Sequence, residues 1–236
     1  MTVLRNINTI ILHTPKTGGS SVRWPAIKKF GIKYSCQHCD YKMLPEKYKN
    51  YRKITFIRNP LDWYASRYFF DKKKFQQKQK KLEPFTDALS NDYKLSFKET
   101  LPNMMNLTNA FRNPKILNHF KKRIQREVTN NYQCWWVSYF DDIDSLTPEY
   151  FENKSLYKWF LDIIGIEHAD AIYRLEDQYE YGMKKEFGND INLIHKNKTK
   201  RTSSGDLYTD SIKKMVIDVE QKFIQKYKYQ QIIKEI

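Results

Sequence analysis

The sequence predicts an α/β domain in which a mainly parallel central sheet is flanked by helices. Three observations carry that expectation. Short apolar runs at residues 7–13, 53–57 and 171–175 have strand character, segments of helical period separate and follow them, and Gly or Pro punctuates the changes between the two. Strands that alternate with helices favour parallel pairing, because the helix supplies the long return crossover that parallel neighbours need. A length of 236 residues suffices for one good-sized core, so a single domain is expected across 1–236, and no internal repeat is visible.

Taken in order, the first run offers Ile7, Ile10, Ile11 and Leu12 to a buried strand, followed at once by Pro15 and the Gly18-Gly19 pair. A helix over residues 20–30 follows, with Pro25 in its first turns or kinking it, and Gly31 as its stop. Residues 32–35 suit a second short strand and 44–51 a short helix. The strand at 53–57 is closed by Arg58-Asn59-Pro60. Leu61, Tyr64, Ala65, Tyr68 and Phe69 then recur at helical spacing, and the lysine- and glutamine-rich stretch 72–81 is read as the exposed end of that helix.

The segment 83–131 is polar and irregular, with helical pieces expected at 97–101 and 116–124. Thr147-Pro148-Glu149 is a start signal for an amphipathic helix over 150–164, and Ala171-Ile172-Tyr173-Arg174-Leu175 reads as another buried strand. A last helix over 209–229 would turn Ile212, Met215, Val216, Val219 and Phe223 to one side.

Composition narrows the chemistry less than the pattern does. A net charge of +15 predicts attraction to anions, whether nucleotides, acidic glycans, nucleic acid or a membrane surface. Much of the excess is Lys accompanied by many Asn and Ile, which solvated faces of a compositionally biased chain would also produce. No apolar run reaches the length of a membrane span, and the N-terminal residues lack the order of a signal peptide. Three cysteines, Cys36, Cys39 and Cys134, cannot all pair, which together with the missing signal points to a reducing, cytoplasmic setting.

The most informative segment is His13-Thr14-Pro15-Lys16-Thr17-Gly18-Gly19-Ser20-Ser21. A loop of small residues between a strand and a helix exposes backbone N–H groups at the positive end of the helix, so it can wrap an anion closely. Gly18 and Gly19 permit the approach, Lys16 adds a mobile charge, and Thr17, Ser20 and Ser21 add hydroxyl donors. It is not a Walker A loop, because there the Lys follows the glycines and here it precedes them. That order argues against an ATPase or a kinase.

The segment resembles the 5′-phosphosulfate loop of the sulfotransferases, especially the glycan-modifying branch, whose motif reads Pro-Lys-Thr-Gly-Gly/Ser-Thr/Ser-Ser. Downstream, Phe56-Ile57-Arg58-Asn59-Pro60-Leu61-Asp62-Trp63-Tyr64-Ala65-Ser66 resembles the same family's 3′-phosphate motif, an Arg at a strand end with a Ser eight residues later. Arg58 would give a forked, permanently charged donor, and Ser66 would reach the same phosphate from the following helix. One departure is Trp63, which stands where the family usually has an Arg and reads as a core residue.

Weaker likenesses run further along the chain. Asn131-Tyr132-Gln133-Cys134 resembles an Asn-Tyr-Gln-Thr segment, Tyr173-Arg174-Leu175-Glu176-Asp177 a late strand ending in Glu-Asp, and His195-Lys196-Asn197-Lys198 the late loop where cofactor contacts, here through Lys198, are completed. The resemblance implies a P-loop-NTPase-like sulfotransferase fold, 3′-phosphoadenosine 5′-phosphosulfate as donor, no metal, and a hydroxyl-bearing acceptor, foremost a glycan. It also implies that 83–142 is an acceptor-side insertion.

Sulfuryl transfer needs an acceptor oxygen in line with the leaving group, charge stabilisation and a base. Lys16 is the candidate for the charge. His38 is the candidate base, since it precedes Arg58 by about the interval found in the uronyl 2-O-sulfotransferase-like branch and imidazole titrates in the useful range. Glu46, His13 and His195 compete for that role. Cys36-Gln37-His38-Cys39 also permits a zinc reading, which Cys134 would have to complete, with plain buried thiols as the other option. The rival functions are a noncatalytic polyanion or nucleic-acid binder, motivated by Lys72-Lys73-Lys74 and the basic stretch 196–201, and a nucleotide kinase requiring ATP and Mg²⁺.

Overall fold

A computed structural model describes residues 1–36, 40–77, 84–129, 143, 146–194 and 207–234. It is an α/β structure with a single five-stranded sheet: β1 (Thr2–Leu4), β2 (Thr9–Leu12), β3 (Ile32–Ser35), β4 (Arg52–Ile57) and β5 (Ala171–Arg174), in the order β3-β1-β2-β4-β5. Within the span that the sequence reads as one domain, contacts group the chain into two compact units, one of Met1–Asn59 with Phe160–Arg201 and one of Pro60–Trp159 with Thr202–Ile236.

The first unit holds the sheet. β2, β4 and β5 pair in parallel, but β1 runs antiparallel to both β2 and β3, so the expected mainly parallel sheet is corrected to a mixed one. The reason is local. Only residues 5–8 separate β1 from β2, far too few for the crossover that a parallel neighbour requires, so the chain must double back.

Against the sheet lie α1 (Gly19–Phe30) and α8 (Tyr179–Phe187). Val22 and Ala26 from α1, and Tyr179, Met183 and Phe187 from α8, pack with Leu4, Ile11, Ile54, Phe56 and Tyr173 of the strands. Fully burying a side chain such as Val, Ile or Phe contributes about 1.5–3 kcal/mol, so this cluster is the main source of the unit's stability. Pro25 lies inside α1, where it cannot donate to the carbonyl of Ser21 four residues back. The Tyr179 hydroxyl donates to that carbonyl instead, at 3.0 Å. Gly31 ends the helix with φ 70°, as expected.

The second unit is helical: α2 (Pro60–Gln76), α3 (Pro84–Leu89), α4 (Phe97–Met105), α5 (Leu107–Phe111), α6 (Pro114–Thr129), the start of α7 (Leu156–Ile163), then α9 (Asp210–Val219), α10 (Gln221–Lys226) and α11 (Gln230–Lys234). Its core is aromatic, with ring centroids of Phe85 and Phe120, and of Phe111 and Phe151, each 4.5 Å apart. Ser96 and Glu99 form a capping box at the start of α4, which fixes that helix where the sequence shows little periodicity.

Three expected helices take another form. The short helix over 44–51 is replaced by 3₁₀ turns at Tyr41–Met43 and Glu46–Tyr48, on either side of Pro45. The helix over 150–164 is broken because Glu152 and Asn153 adopt φ of 48° and 56°, and α7 starts only after them. The last helix is interrupted at Glu220, whose buried carboxylate accepts the Tyr64 hydroxyl at 2.6 Å. Among the described residues no helix is long and apolar enough to cross a membrane.

Candidate functional site

Residues from three neighbouring parallel strands meet at one end of the sheet. Leu12 is in register with Thr55, and Ile57 with Arg174, so β4 and β5 end level and β2 ends two residues earlier along β4. The Thr55 hydroxyl donates to the Leu12 carbonyl at 3.0 Å and ties the first two ends together. Loops leaving the carboxyl ends of parallel strands are the usual ligand position in α/β sheets, and here they are 13–18, 58–59 and 175–177.

The loop after β2 has an uncommon backbone. Lys16 has φ 67° and Gly18 φ 73°, while Thr17 between them is not in the left-handed region. A Lys pays about 1–2 kcal/mol for that conformation. Left-handed residues in a turn of this kind are among the conformations that can gather successive N–H groups toward an anion. Gly18 is the N-cap of the twelve-residue α1 and, as a glycine, brings no capping side chain of its own to the positive end of the helix dipole.

Both glycines are fixed by neighbours as well as by torsion. A Cβ on Gly18 would fall 2.6 Å from Leu175 Cδ1, and one on Gly19 would fall 1.5 Å from His13 Nε2. His13 therefore packs directly on the first residue of α1. The Thr17 hydroxyl donates to the Thr14 carbonyl at 2.9 Å and is spent on the turn itself, whereas the buried Thr14 hydroxyl has no hydrogen-bond partner among the described residues. Ser20 is half-buried and Ser21 buried in the first turn of α1.

The two anion-directed segments meet. Arg58 Nη1 lies 3.4 Å from the carbonyl oxygen of Lys16, a long contact whose direction brings a guanidinium onto the loop. The turn after Arg58 is held from β5: Glu176 Oε1 accepts from the backbone N–H of Asn59 at 2.8 Å and from its side-chain amide at 3.3 Å. Asn59 itself is buried. Sequence reasoning singled out Glu176 only within a weak likeness. The signal that would have found this contact is an acidic residue two positions past the end of a strand that neighbours the Arg58 strand.

Other expected site residues fall elsewhere. Ser66 is a buried residue of α2 in the second unit, and Trp63 of the same helix stacks on Tyr157 with ring centroids 4.5 Å apart, which makes it core. His38, Lys198 and His195 lie outside the described residues, as do Cys39 and Cys134. Glu46 pairs with Lys49 at 2.6 Å on an exposed turn. Cys36 is disulfide-bonded, which removes a free thiolate from the zinc reading.

A second polar cluster, in the helical unit, has no counterpart in the sequence reading. Asp87, Asp92 and His119 bring ligand-type atoms within 4.8 Å of one another. Arg123 already supplies the positive charge there, with Nε 2.8 Å from Asp87 and Nη2 3.0 Å from Asp92. Burial pushes the Asp87 carboxyl up to about 8 despite that guanidinium. Arg123 thus supplies the counter-charge within this cluster.

No protein-family model, no curated protein and no solved structure matches this chain.

Proposed function

We propose that the chain is an O-sulfotransferase that moves a sulfuryl group from 3′-phosphoadenosine 5′-phosphosulfate to an acceptor hydroxyl, foremost on a glycan, on the sulfotransferase variant of the P-loop-NTPase-like fold. The observation that supports this most is the contact of Arg58 with the Lys16 carbonyl, because it joins a loop suited to one anionic group to a guanidinium suited to another. A donor carrying both a 5′-phosphosulfate and a separate 3′-phosphate is the ligand class that such a pair of sites selects.

In this reading the first-turn N–H groups of α1, with Lys16, Thr17, Gly18, Gly19, Ser20 and Ser21, hold the 5′ end, and Arg58 takes the 3′-phosphate, a role for which the sequence resemblance also names Ser66 and Lys198. The acceptor oxygen forms a bond to sulfur as the bond between sulfur and the bridging phosphate oxygen breaks. The electron pair leaves on 3′-phosphoadenosine 5′-phosphate, where Lys16 offsets the charge, and the hydroxyl proton passes to a base, for which His38 is the sequence's candidate. No step requires a metal.

The direct test is transfer from donor labelled in the sulfate, against a panel of glycans, small alcohols and tyrosyl peptides, with Lys16→Ala as the blank. Label in an acceptor with wild-type protein alone supports the reading; equal label with the variant removes Lys16 from it. A net charge of +15 favours one second reading, a noncatalytic polyanion or nucleic-acid binder. Salt-sensitive duplex binding indifferent to 3′-phosphoadenosine 5′-phosphate would establish that instead.

A further inference from the structure

The segment that leaves β5 touches both halves of the candidate site. Leu175 donates its backbone N–H to the Ile57 carbonyl at 2.8 Å, which extends the β4–β5 ladder by one residue past the strand. From that anchored position its Cδ1 packs against Gly18, so close that no Cβ would fit there. The next residue, Glu176, takes two hydrogen bonds from Asn59, one from the backbone and one from the side chain. Consecutive side chains thus fix the left-handed turn of the loop on one side and the Arg58-Asn59-Pro60 turn on the other.

We propose that Glu176 is a positioning residue: by holding Asn59 it sets the direction in which Arg58 leaves β4, and with Leu175 it keeps the two anion-directed segments in one relative geometry. The inference rests on the function proposed above for the identity of the ligand, and on the hydrogen bonds alone for the positioning. What this role uses is the acceptor oxygen of Glu176, which takes both hydrogen bonds from Asn59. Removing that acceptor takes one hydrogen bond from the Asn59 backbone N–H and another from its side-chain amide, which loosens the hold on the turn. That loosening would appear as lost order at Arg58.

The test compares Glu176→Gln, which keeps an acceptor oxygen, with Glu176→Ala, which does not. Two readouts are taken on full-length protein: affinity for 3′-phosphoadenosine 5′-phosphate by calorimetry, and hydrogen exchange of the peptide containing Asn59. Glu176→Ala is expected to bind about tenfold more weakly and to exchange faster at Asn59, while Glu176→Gln stays near wild type in both, since it can still accept. Wild-type affinity in Glu176→Ala, or equal losses in the Ala and Gln variants, overturns the positioning role. If wild-type protein itself does not bind the nucleotide, the donor assignment fails. The clasp is then judged on exchange alone, and unchanged protection at Asn59 in Glu176→Ala overturns it.

Discussion

Arg58, the first residue after β4, reaches the carbonyl oxygen of Lys16, in the loop after β2, at 3.4 Å although 42 positions separate them. That contact is made to the backbone of Lys16 and brings the guanidinium onto the loop. A guanidinium held against this loop favours a ligand that carries an anionic group.

The first prediction concerns that guanidinium. Arg58→Ala should weaken binding of 3′-phosphoadenosine 5′-phosphate by roughly tenfold to a hundredfold, the scale of a charge-assisted hydrogen bond. Arg58→Lys should recover only part, because an ammonium cannot present a fork. Calorimetric titration decides it, and an unchanged affinity in Arg58→Ala removes the residue from the site.

Strain and charge at Lys16 can be separated. Lys16→Gly relieves the left-handed residue of its Cβ penalty and should raise stability toward urea by about 1 kcal/mol. The same variant should have no measurable turnover. A destabilised Lys16→Gly would mean that the positive φ is not strained.

The packing of His13 on Gly19 gives a stability prediction independent of any ligand. Gly19→Ala would drive a methyl into the imidazole and should cost about 1–3 kcal/mol, as overpacking does. Adding His13→Ala should return most of that loss, and a double-mutant cycle in denaturant measures the coupling. Additive effects would contradict the contact.

Asp87 predicts the pH dependence of folding. Its carboxyl is pushed up to about 8 by burial in the folded chain, against an ordinary carboxylate value near 3.8. A raised folded value means that the native state holds the proton more tightly than the unfolded one. The contribution to stability is therefore complete below about pH 4 and is lost as pH rises toward 8, with a slope of up to about 1.4 kcal/mol per pH unit. Denaturation series between pH 5 and 8 should flatten in Asp87→Asn; a slope identical to wild type would assign the effect elsewhere.

How much of this was legible in the sequence depends on whether the cause was local. The strand before Pro15, the glycine pair and the Gly31 stop follow from backbone chemistry, and the structure has β2, the turn and α1 at those places. The antiparallel β1 is only three residues long and is buried by pairing with β2 and β3, so no periodicity announces it. α8 was hidden by Gly182, a weak helix former that sits mid-helix because the ring of Tyr173 lies where a Cβ would go. The interruption at Glu220 has the same character, since the carboxylate that turns inward there meets Tyr64, a residue of a helix far away in the chain. In the site, Lys16 and Arg58 were readable because their residue types and spacing carry chemistry. Glu176 was not, because its role depends on β5 neighbouring β4.

The account stands or falls on the donor, and the most direct measurement is competitive binding at physiological salt. Wild-type protein is titrated with 3′-phosphoadenosine 5′-phosphate, then with AMP, which lacks the 3′-phosphate, and with ATP and Mg²⁺. The account predicts saturable binding of the first, at least tenfold weaker binding of AMP as loss of a charge-assisted contact implies, and no displacement by ATP and Mg²⁺. Tight ATP binding that requires Mg²⁺, or equal affinity with and without the 3′-phosphate, would contradict it.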